Sequence, residues 1–258
     1  MAEQAPFKRK VGGSIPPGGT SSRATADLAR LGEHVDRVYR DGAVVDHRGE
    51  RISLAPHSVE REQGEALRDL AVAEGASQTI EVGLALGMSA LFLCQAVLRR
   101  GGRHVTIDPY QEESWNGAGL RTLSEAGVAD VVEVIEVESQ LALPRLVQEG
   151  REFDFAFVDG DHRFEGVFLD LYFMTRLVRA GGLVVVDDMW LPAVRLAVAY
   201  VERNLGATLL PDALPDAFRW SRRRRLERGV PRGKGAMAVL RVPLERPALA
   251  WDGFVRPW

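Results

Sequence analysis

The sequence predicts an α/β fold in which a mostly parallel sheet of seven strands carries helices on both faces. Short, continuously apolar segments alternate with longer segments of helical periodicity, and such apolar strands are typical of parallel sheets that are buried on both sides. Several apolar segments end in acidic residues, at the edge where an open parallel sheet binds its ligands. The 258 residues are enough to bury one large core.

The predicted strands are short and rich in aliphatic residues, and they cover residues 79–82, 104–107, 131–137, 153–158, 183–186, 207–210 and 237–242. The helices predicted between them have apolar positions at helical spacing and cover residues 89–99, 119–126, 141–148, 164–179 and 192–205.

Composition divides the chain into three parts. The first is rich in Gly, Pro, Ser and Thr and is expected to be a flexible arm. The second is an N-terminal extension whose helix is predicted over residues 24–40, and the third is the α/β domain, beginning with a helix over residues 58–74 that has Ser58 as its N-cap. The three parts are residues 1–24, 25–57 and 58–258.

Composition also limits the classes of function. A net charge of -3 gives no general attraction for nucleic acid, so such a partner would need a local basic patch. The basic run Arg219–Arg228 is either a solvated loop or a site for an anionic group of the substrate. The sequence lacks a signal-peptide core and an apolar run of membrane-spanning length, so we expect a cytoplasmic protein that does not contact membranes. Cys94, the single cysteine, lies in an apolar helical stretch and is expected to be buried.

Acidic residues follow four of the predicted strands. Because the carboxyl ends of parallel strands meet at one edge of the sheet, we expect these side chains to be neighbours there. Carboxylates that repel one another are tolerated when they bind a cation or hydroxyl groups. The residues concerned are Glu81, Asp108, Asp159, Asp187 and Asp188.

The loop after the first of these strands contains Gly83 and Gly87, which allow the backbone to approach a ligand and to turn into a helix. The spacing is not the G-x-G-x-x-G of dinucleotide enzymes, and the loop lacks the lysine of a phosphate-binding loop. Asp108 ends the next strand at about the spacing expected for an acid that binds ribose hydroxyls. An ordinary tight turn and a turn-capping aspartate remain the structural alternatives.

This loop resembles motif I of class I S-adenosylmethionine methyltransferases, E-x-G-x-x-x-G-x-S. Residues 134–140, 153–162 and 181–189 resemble the cation-dependent O-methyltransferases, of which the catechol and caffeoyl-CoA enzymes are familiar members, and related bacterial methyltransferases. The resemblance covers roughly residues 58–205 and implies a Rossmann-like class I methyltransferase sandwich with an N-terminal helical extension.

The resemblance also implies roles for individual residues. The methionine half of S-adenosylmethionine would lie near the glycine loop, the ribose at Asp108 and the adenine beside Ser139 and Gln140. The implied cofactor-binding residues are Glu81, Gly83, Gly87, Ser89, Asp108, Ser139, Gln140 and Asp159. The implied ligands of a divalent cation, Mg²⁺ for example, are Asp159, Asp187 and Asp188, the last standing where the family often has Asn.

His162 stands where the catechol enzymes carry a lysine base, three residues after Asp159, so His162 and Asp159 are the candidate catalytic residues. An imidazole suits removal of a hydroxyl proton at neutral pH, although His162 could instead orient an acid or begin a helix. The expected function is O-methylation of a small-molecule hydroxyl, on an acceptor that could be anionic, by a protein that could be a homodimer. Metal-independent N- or carboxyl-methylation, RNA methylation through the arginine run and non-enzymatic cofactor binding remain open alternatives.

Overall fold

A computed structural model of the chain describes residues 9–10, 21–220, 236–245 and 253–257. These residues form two compact units, one ending at Glu138 and the other beginning at Ser139.

Among the described residues, the first unit contains four helices and four strands of the main sheet. The helices are α1 (Ser21–Asp41), α2 (Arg61–Ala73), α3 (Met88–Leu98) and α4 (Ala118–Glu125). The strands are β1 (Arg9–Lys10), β4 (Gln78–Val82), β5 (Arg103–Ile107) and β6 (Val132–Ile135), and β2 (Ala43–Val45) and β3 (Arg51–Ser53) form a separate antiparallel pair. The order in the sheet is β1-β6-β5-β4. Strands β4, β5 and β6 are parallel, whereas β1 is antiparallel to β6.

Helix α3 is the centre of the first unit's core. It packs on β4 and β5 and against α1 and α2, and Met88 to Val97 are all buried. At Gly64 of α2 an added Cβ would lie only 2.1 Å from the Phe92 ring, so glycine permits the close approach of α2 and α3. Cys94 is fully buried in α3, as the sequence predicts.

In the part of the chain that the structure describes, the second unit contains three helices and four strands. The elements are α5 (Ser139–Gln148), β7 (Phe153–Val158), α6 (Phe164–Leu177), β8 (Val178–Val186), α7 (Pro192–Asn204), β9 (Thr208–Leu209) and β10 (Ala238–Arg241). The strand order is β7-β8-β10-β9. Strands β7 and β8 are parallel, and β10 is antiparallel to both β8 and β9. Helix α6 packs on β7 and β8 and lies against α5 and α7.

The structure contains every strand and helix that the sequence predicts, with shifted ends. Helix α2 begins at Arg61 instead of residue 58, and its N-cap is Glu60, whose backbone N–H donates to Gln63 Oε1 (2.8 Å). The prediction that Ser58 caps this helix was therefore wrong. Glu60 and Gln63 form a capping box, in which each side chain accepts a hydrogen bond from the backbone N–H of the other residue. The β2–β3 hairpin and β1 were not predicted, because their strands have only two or three residues.

Two predicted features fall wholly or partly outside the described residues. The flexible arm predicted over residues 1–24 stays a prediction, and of these residues the structure describes β1 (Arg9–Lys10) and the start of α1, from Ser21. The arginines Arg222–Arg225 lie outside the described residues. Arg219, at the start of that run, forms ion pairs with Asp212 and Asp216. Among the helices that the structure describes, none combines the length and the apolar character needed to cross a bilayer.

Candidate active site

The glycine loop of the first unit is shaped by left-handed backbone at three positions. Gly83, Ala85 and Gly87 have φ angles of 97°, 45° and 87°. Gly87 is the N-cap of α3, and a Cβ there would lie 3.2 Å from the backbone oxygen of Gly119. The loop therefore turns directly from β4 into α3, with glycine at two of its three left-handed positions.

Asp108, at the end of β5, holds this loop in place. Its Oδ2 atom accepts hydrogen bonds from the backbone N–H groups of Leu84 (3.2 Å) and Ala85 (2.8 Å) and from Gln111 Nε2 (2.9 Å). Its Oδ1 atom accepts one from the Tyr110 N–H (2.8 Å). Each carboxylate oxygen has two lone pairs, so Oδ1, which accepts one hydrogen bond, still has room for a ligand hydroxyl, and the ribose-binding role of Asp108 stays a prediction.

Glu81, near the end of β4, is fully buried beside a histidine that the sequence analysis did not single out. His104 Nε2 lies 3.3 Å from Glu81 Oε1, and His104 Nδ1 lies 2.9 Å from Thr79 Oγ1. Neither oxygen of Glu81 makes a hydrogen bond of good geometry among the described residues. The sequence analysis missed His104 because its partners become apparent only from the parallel register of β4 and β5, which places Thr79 opposite His104. Ser89, also predicted to bind cofactor, is buried in the first turn of α3.

The predicted adenine-side residues, Ser139 and Gln140, form the start of α5 in the second unit. Asp170 of α6 is fully buried and interacts with Ser139. Burial raises the pKa of Asp170 to about 6, against the hydrogen bond from Ser139, which lowers it. Sequence reasoning missed Asp170, because an acid within an apolar helical pattern looks like a surface residue.

Three side chains of the second unit meet where β7 and β8 end. Each of Asp159, His162 and Asp188 offers one donor atom, and these atoms lie within 4.8 Å of one another. His162 Nε2 is 2.6 Å from Asp188 Oδ2 and 3.8 Å from Asp159 Oδ1. The interactions with the carboxylates of Asp159 and Asp188 raise the pKa of the half-exposed His162 to about 10. We call these three residues the Asp–His–Asp cluster.

The backbone explains why Asp188 joins the cluster and Asp187 does not. Asp188 has a φ of 56°, in the left-handed region, and its Oδ1 atom accepts a hydrogen bond from Trp190 Nε1 (2.6 Å). Asp187 is buried, and its Oδ1 atom accepts a hydrogen bond from the Asp188 N–H (2.7 Å). The structure therefore brings together two of the three predicted metal ligands and adds His162. Asp187 still lines the small pocket beside Asp159 and His162.

The donor set of the cluster fits a divalent cation. Two carboxylates and one imidazole are ordinary ligands for such ions. When His162 is protonated, its single positive charge faces the two negative charges of Asp159 and Asp188. A divalent cation would neutralise both carboxylates. A cation that took over the carboxylates would also release His162 from the interactions that raise its pKa.

The sequence profile described as "Methyltransferase domain" matches residues 80–189. A provisionally named O-methyltransferase of Mycobacterium sp. (strain JLS) is 31% identical over 173 residues, which cover 66% of this chain and 74% of that protein. Catechol O-methyltransferase of Mycobacterium tuberculosis is 34% identical over 132 residues, covering 51% of this chain and 57% of its own length. Tricin synthase 2 of rice is 37% identical over 134 residues, covering 50% of this chain and 44% of its own length, so the chain spans about half the length of several curated relatives.

Solved structures show the same fold. An O-methyltransferase from Bacillus cereus, in complex with S-adenosylhomocysteine, superposes with a TM-score of 0.57 at 21% identity, over 83% of this chain and 90% of that one. The O-methyltransferase TomG from Streptomyces achromogenes, in complex with S-adenosylmethionine, superposes with a TM-score of 0.57 at 22% identity, over 88% and 100%. These likenesses confirm the predicted Rossmann-like fold with its mostly parallel sheet. The profile match and the relative that this chain covers over 74% of its length give the family: the chain belongs to the class I S-adenosylmethionine-dependent methyltransferases, in the group of the O-methyltransferases.

Proposed function

We propose that this chain transfers a methyl group from S-adenosylmethionine to a hydroxyl oxygen of a small molecule, with a divalent cation held by Asp159 and Asp188. The observation that carries the proposal is the Asp–His–Asp cluster, because it combines carboxylates for a cation with an imidazole for a proton. The names of the relatives support the choice of oxygen as the acceptor atom.

The cofactor half of the proposal is supported by the first unit. The glycine loop has no Cβ atoms at Gly83 and Gly87, and the two solved relatives described above are complexes with S-adenosylhomocysteine or S-adenosylmethionine. Glu81 offers two buried oxygens without well-aligned donors, which suits a cationic amino group, and Asp108 keeps acceptor capacity for a hydroxyl.

The catalytic half follows from charge. When bound, the cation would hold the acceptor oxygen and lower the pKa of its hydroxyl group. His162, released from its ion pairs, would take that proton on Nε2. The acceptor oxygen then bonds to the methyl carbon while the carbon–sulfur bond breaks, and the sulfonium becomes a neutral thioether. Alignment of oxygen, carbon and sulfur supplies most of the remaining rate enhancement.

The experiment is calorimetric titration of S-adenosylhomocysteine in Mg²⁺ and again in EDTA, followed by titration of Mg²⁺ and Mn²⁺ into the protein. Methyl transfer is then measured on catechol and caffeoyl-CoA, the acceptors that appear in the relatives' names. Asp159→Asn and Asp188→Gly should lose cation binding and EDTA-sensitive turnover while keeping affinity for S-adenosylhomocysteine, since glycine fits the backbone angle at position 188 and removes the ligand. Asp212→Asn is the control, because Asp212 is an exposed carboxylate of the same unit.

Each outcome decides one part of the proposal. Binding of S-adenosylhomocysteine with an EDTA-sensitive cation site supports both halves. Turnover that is unaffected by EDTA and by Asp188→Gly removes the cation and favours metal-independent N- or carboxyl-methylation. Steeply salt-dependent RNA binding would favour an RNA substrate. Failure to bind S-adenosylhomocysteine overturns the proposal.

A further inference from the structure

Beneath the glycine loop, β4 and β5 carry a row of buried polar side chains that the proposed function does not use in full. In the parallel register Thr79 lies opposite His104, and Glu81 lies opposite Thr106. All four residues are fully shielded from solvent. Polar groups in such a position are costly unless they are hydrogen-bonded, so this row needs a reason.

The contacts define the direction of the row. Thr79 Oγ1, 2.9 Å from His104 Nδ1, can donate its hydroxyl hydrogen to that nitrogen. The neutral tautomer of His104 then carries its hydrogen on Nε2, which faces Glu81 Oε1 at 3.3 Å. The row of donors thus points from Thr79 through His104 toward the carboxylate of Glu81, and its last contact is a close approach without the alignment of a hydrogen bond.

Helix α3 offers Glu81 no cationic donor. It packs on β4 and β5, and it contains no lysine or arginine from Met88 to Leu98. The negative charge of Glu81 reaches this helix, because it adds to burial in raising the pKa of Cys94. On β5 the row offers Thr106 and His104, and His104 Nε2 is the nitrogen that lies 3.3 Å from Glu81 Oε1, where it can fix one oxygen of Glu81 and leave the other for a ligand.

We propose that His104 is a positioning residue for cofactor binding. It donates from Nε2 to Glu81 Oε1 and so turns the second oxygen of Glu81 toward the ammonium group of the bound cofactor. Glu81 stands two residues before Gly83, where the glycine loop begins. The inference rests on the proposed function, since that function brings the amino-acid half of S-adenosylmethionine to this loop. It adds a residue that contacts Glu81 and acts on the cofactor only through the position of the Glu81 carboxylate.

The test compares two ligands that differ only at the ammonium group: S-adenosylhomocysteine and its deaminated analogue, S-(3-carboxypropyl)-5′-thioadenosine. Their dissociation constants are measured by calorimetry, or by competition for the weaker ligand, on the wild-type protein, His104→Leu and His104→Gln. Leucine fills a similar apolar volume without a donor, whereas the amide nitrogen of glutamine stands near the place of Nε2 and restores one.

We expect the wild-type protein to prefer S-adenosylhomocysteine over the deaminated analogue by about tenfold or more, as for one charge-assisted hydrogen bond. His104→Leu should reduce this preference to about twofold, mainly by weakening binding of S-adenosylhomocysteine, and His104→Gln should restore most of it. Thr79→Val, which removes the donor to His104, should have an intermediate effect and serves as the second variant if His104→Leu does not fold.

Equal loss of affinity for both ligands in His104→Leu would show a purely structural role and overturn the inference, as would an unchanged preference in His104→Leu and Thr79→Val. These results are distinct from failure of the proposed function, in which the wild-type protein itself binds no S-adenosylhomocysteine.

Discussion

The carboxylate of Asp108 and those of the Asp–His–Asp cluster are held by different kinds of partner. Asp108 is buried and accepts four hydrogen bonds from neutral donors, three of them backbone N–H groups. Asp159 and Asp188 face the charge of a half-exposed histidine, and Asp188 also accepts a hydrogen bond from Trp190. The first arrangement is fixed before a ligand arrives, and its remaining acceptor capacity suits a neutral hydroxyl group. The second depends on the proton of His162, and in the proposed function a metal ion would take the place of that charge.

The largest expected effect comes from His162→Ala, which tests whether the Asp–His–Asp cluster serves turnover and not cofactor binding. We expect turnover to fall by about 10³-fold, as for loss of a general base, while affinity for S-adenosylhomocysteine stays within about threefold of the wild-type value. Steady-state kinetics at saturating acceptor and calorimetry measure the two quantities. Glu165→Ala is the control, because Glu165 is an exposed residue in the first turn of α6. Unchanged turnover would exclude His162 as the base.

Asp170, a third kind of carboxylate, is buried in the second unit, where no described residue gives it the positively charged partner that the Asp–His–Asp cluster has, and it should make the stability of the protein depend on pH. Burial raises the pKa of Asp170 to about 6 from 3.8, so the folded state holds this proton more tightly than the unfolded chain does. Asp170 therefore contributes stability that is complete below about pH 4 and is lost as the pH rises through about 6. Asp170→Asn should avoid this loss and gain about 3 kcal/mol over the wild-type protein between pH 4 and pH 7. Urea unfolding at several pH values measures the difference, and a difference that does not change with pH would contradict the assignment.

Asp108→Ala tests whether the two regions act independently. Loss of the bonds that hold the glycine loop should weaken binding of S-adenosylhomocysteine by about a hundredfold. Mn²⁺ affinity should be unchanged, because the cation site is built within the other unit. Calorimetry with each ligand gives both values, and Glu113→Ala in the following loop is the control. A parallel fall in Mn²⁺ affinity would show that the regions are coupled.

The smallest expected effect concerns Cys94. Because the thiol is fully buried and its pKa is raised by burial, the native protein should not react with a disulfide reagent over about an hour and should react at once in guanidinium. S-adenosylhomocysteine should slow any residual labelling, since the glycine loop leads directly into α3. Rapid labelling of the native protein would mean that the first unit opens readily and is not preformed.

The sequence predicts the long elements of this fold well because each has a strong periodic pattern. The strands β4 to β8 are rich in aliphatic and aromatic residues, and acidic residues stand within or just after β4, β5, β7 and β8. Short elements such as β2 and β3 were missed because three residues carry too little pattern. The start of α2 was misplaced because the helix uses a glutamate as its N-cap, where serine is the commoner choice.

The site could be predicted in composition but not in geometry. His162 and Asp159 come together as their spacing suggests, whereas the difference between Asp187 and Asp188 depends on one backbone angle that no residue pattern reveals. His104 and Asp170 were missed for a related reason. Each is a polar residue in an apolar element, and its partner becomes visible only when strand register or helix packing is known.

The left-handed backbone at Asp188 also restricts how this site can evolve. Most residues with a Cβ atom pay roughly 1–2 kcal/mol for that conformation, and Gly, Asn and Asp are the usual exceptions. Glycine would remove the ligand, so aspartate and asparagine are the economical choices. The two amino acids are separated by a single base change in their codons and differ by one charge. The affinity of the proposed cation site can therefore shift in one mutational step without rebuilding the loop.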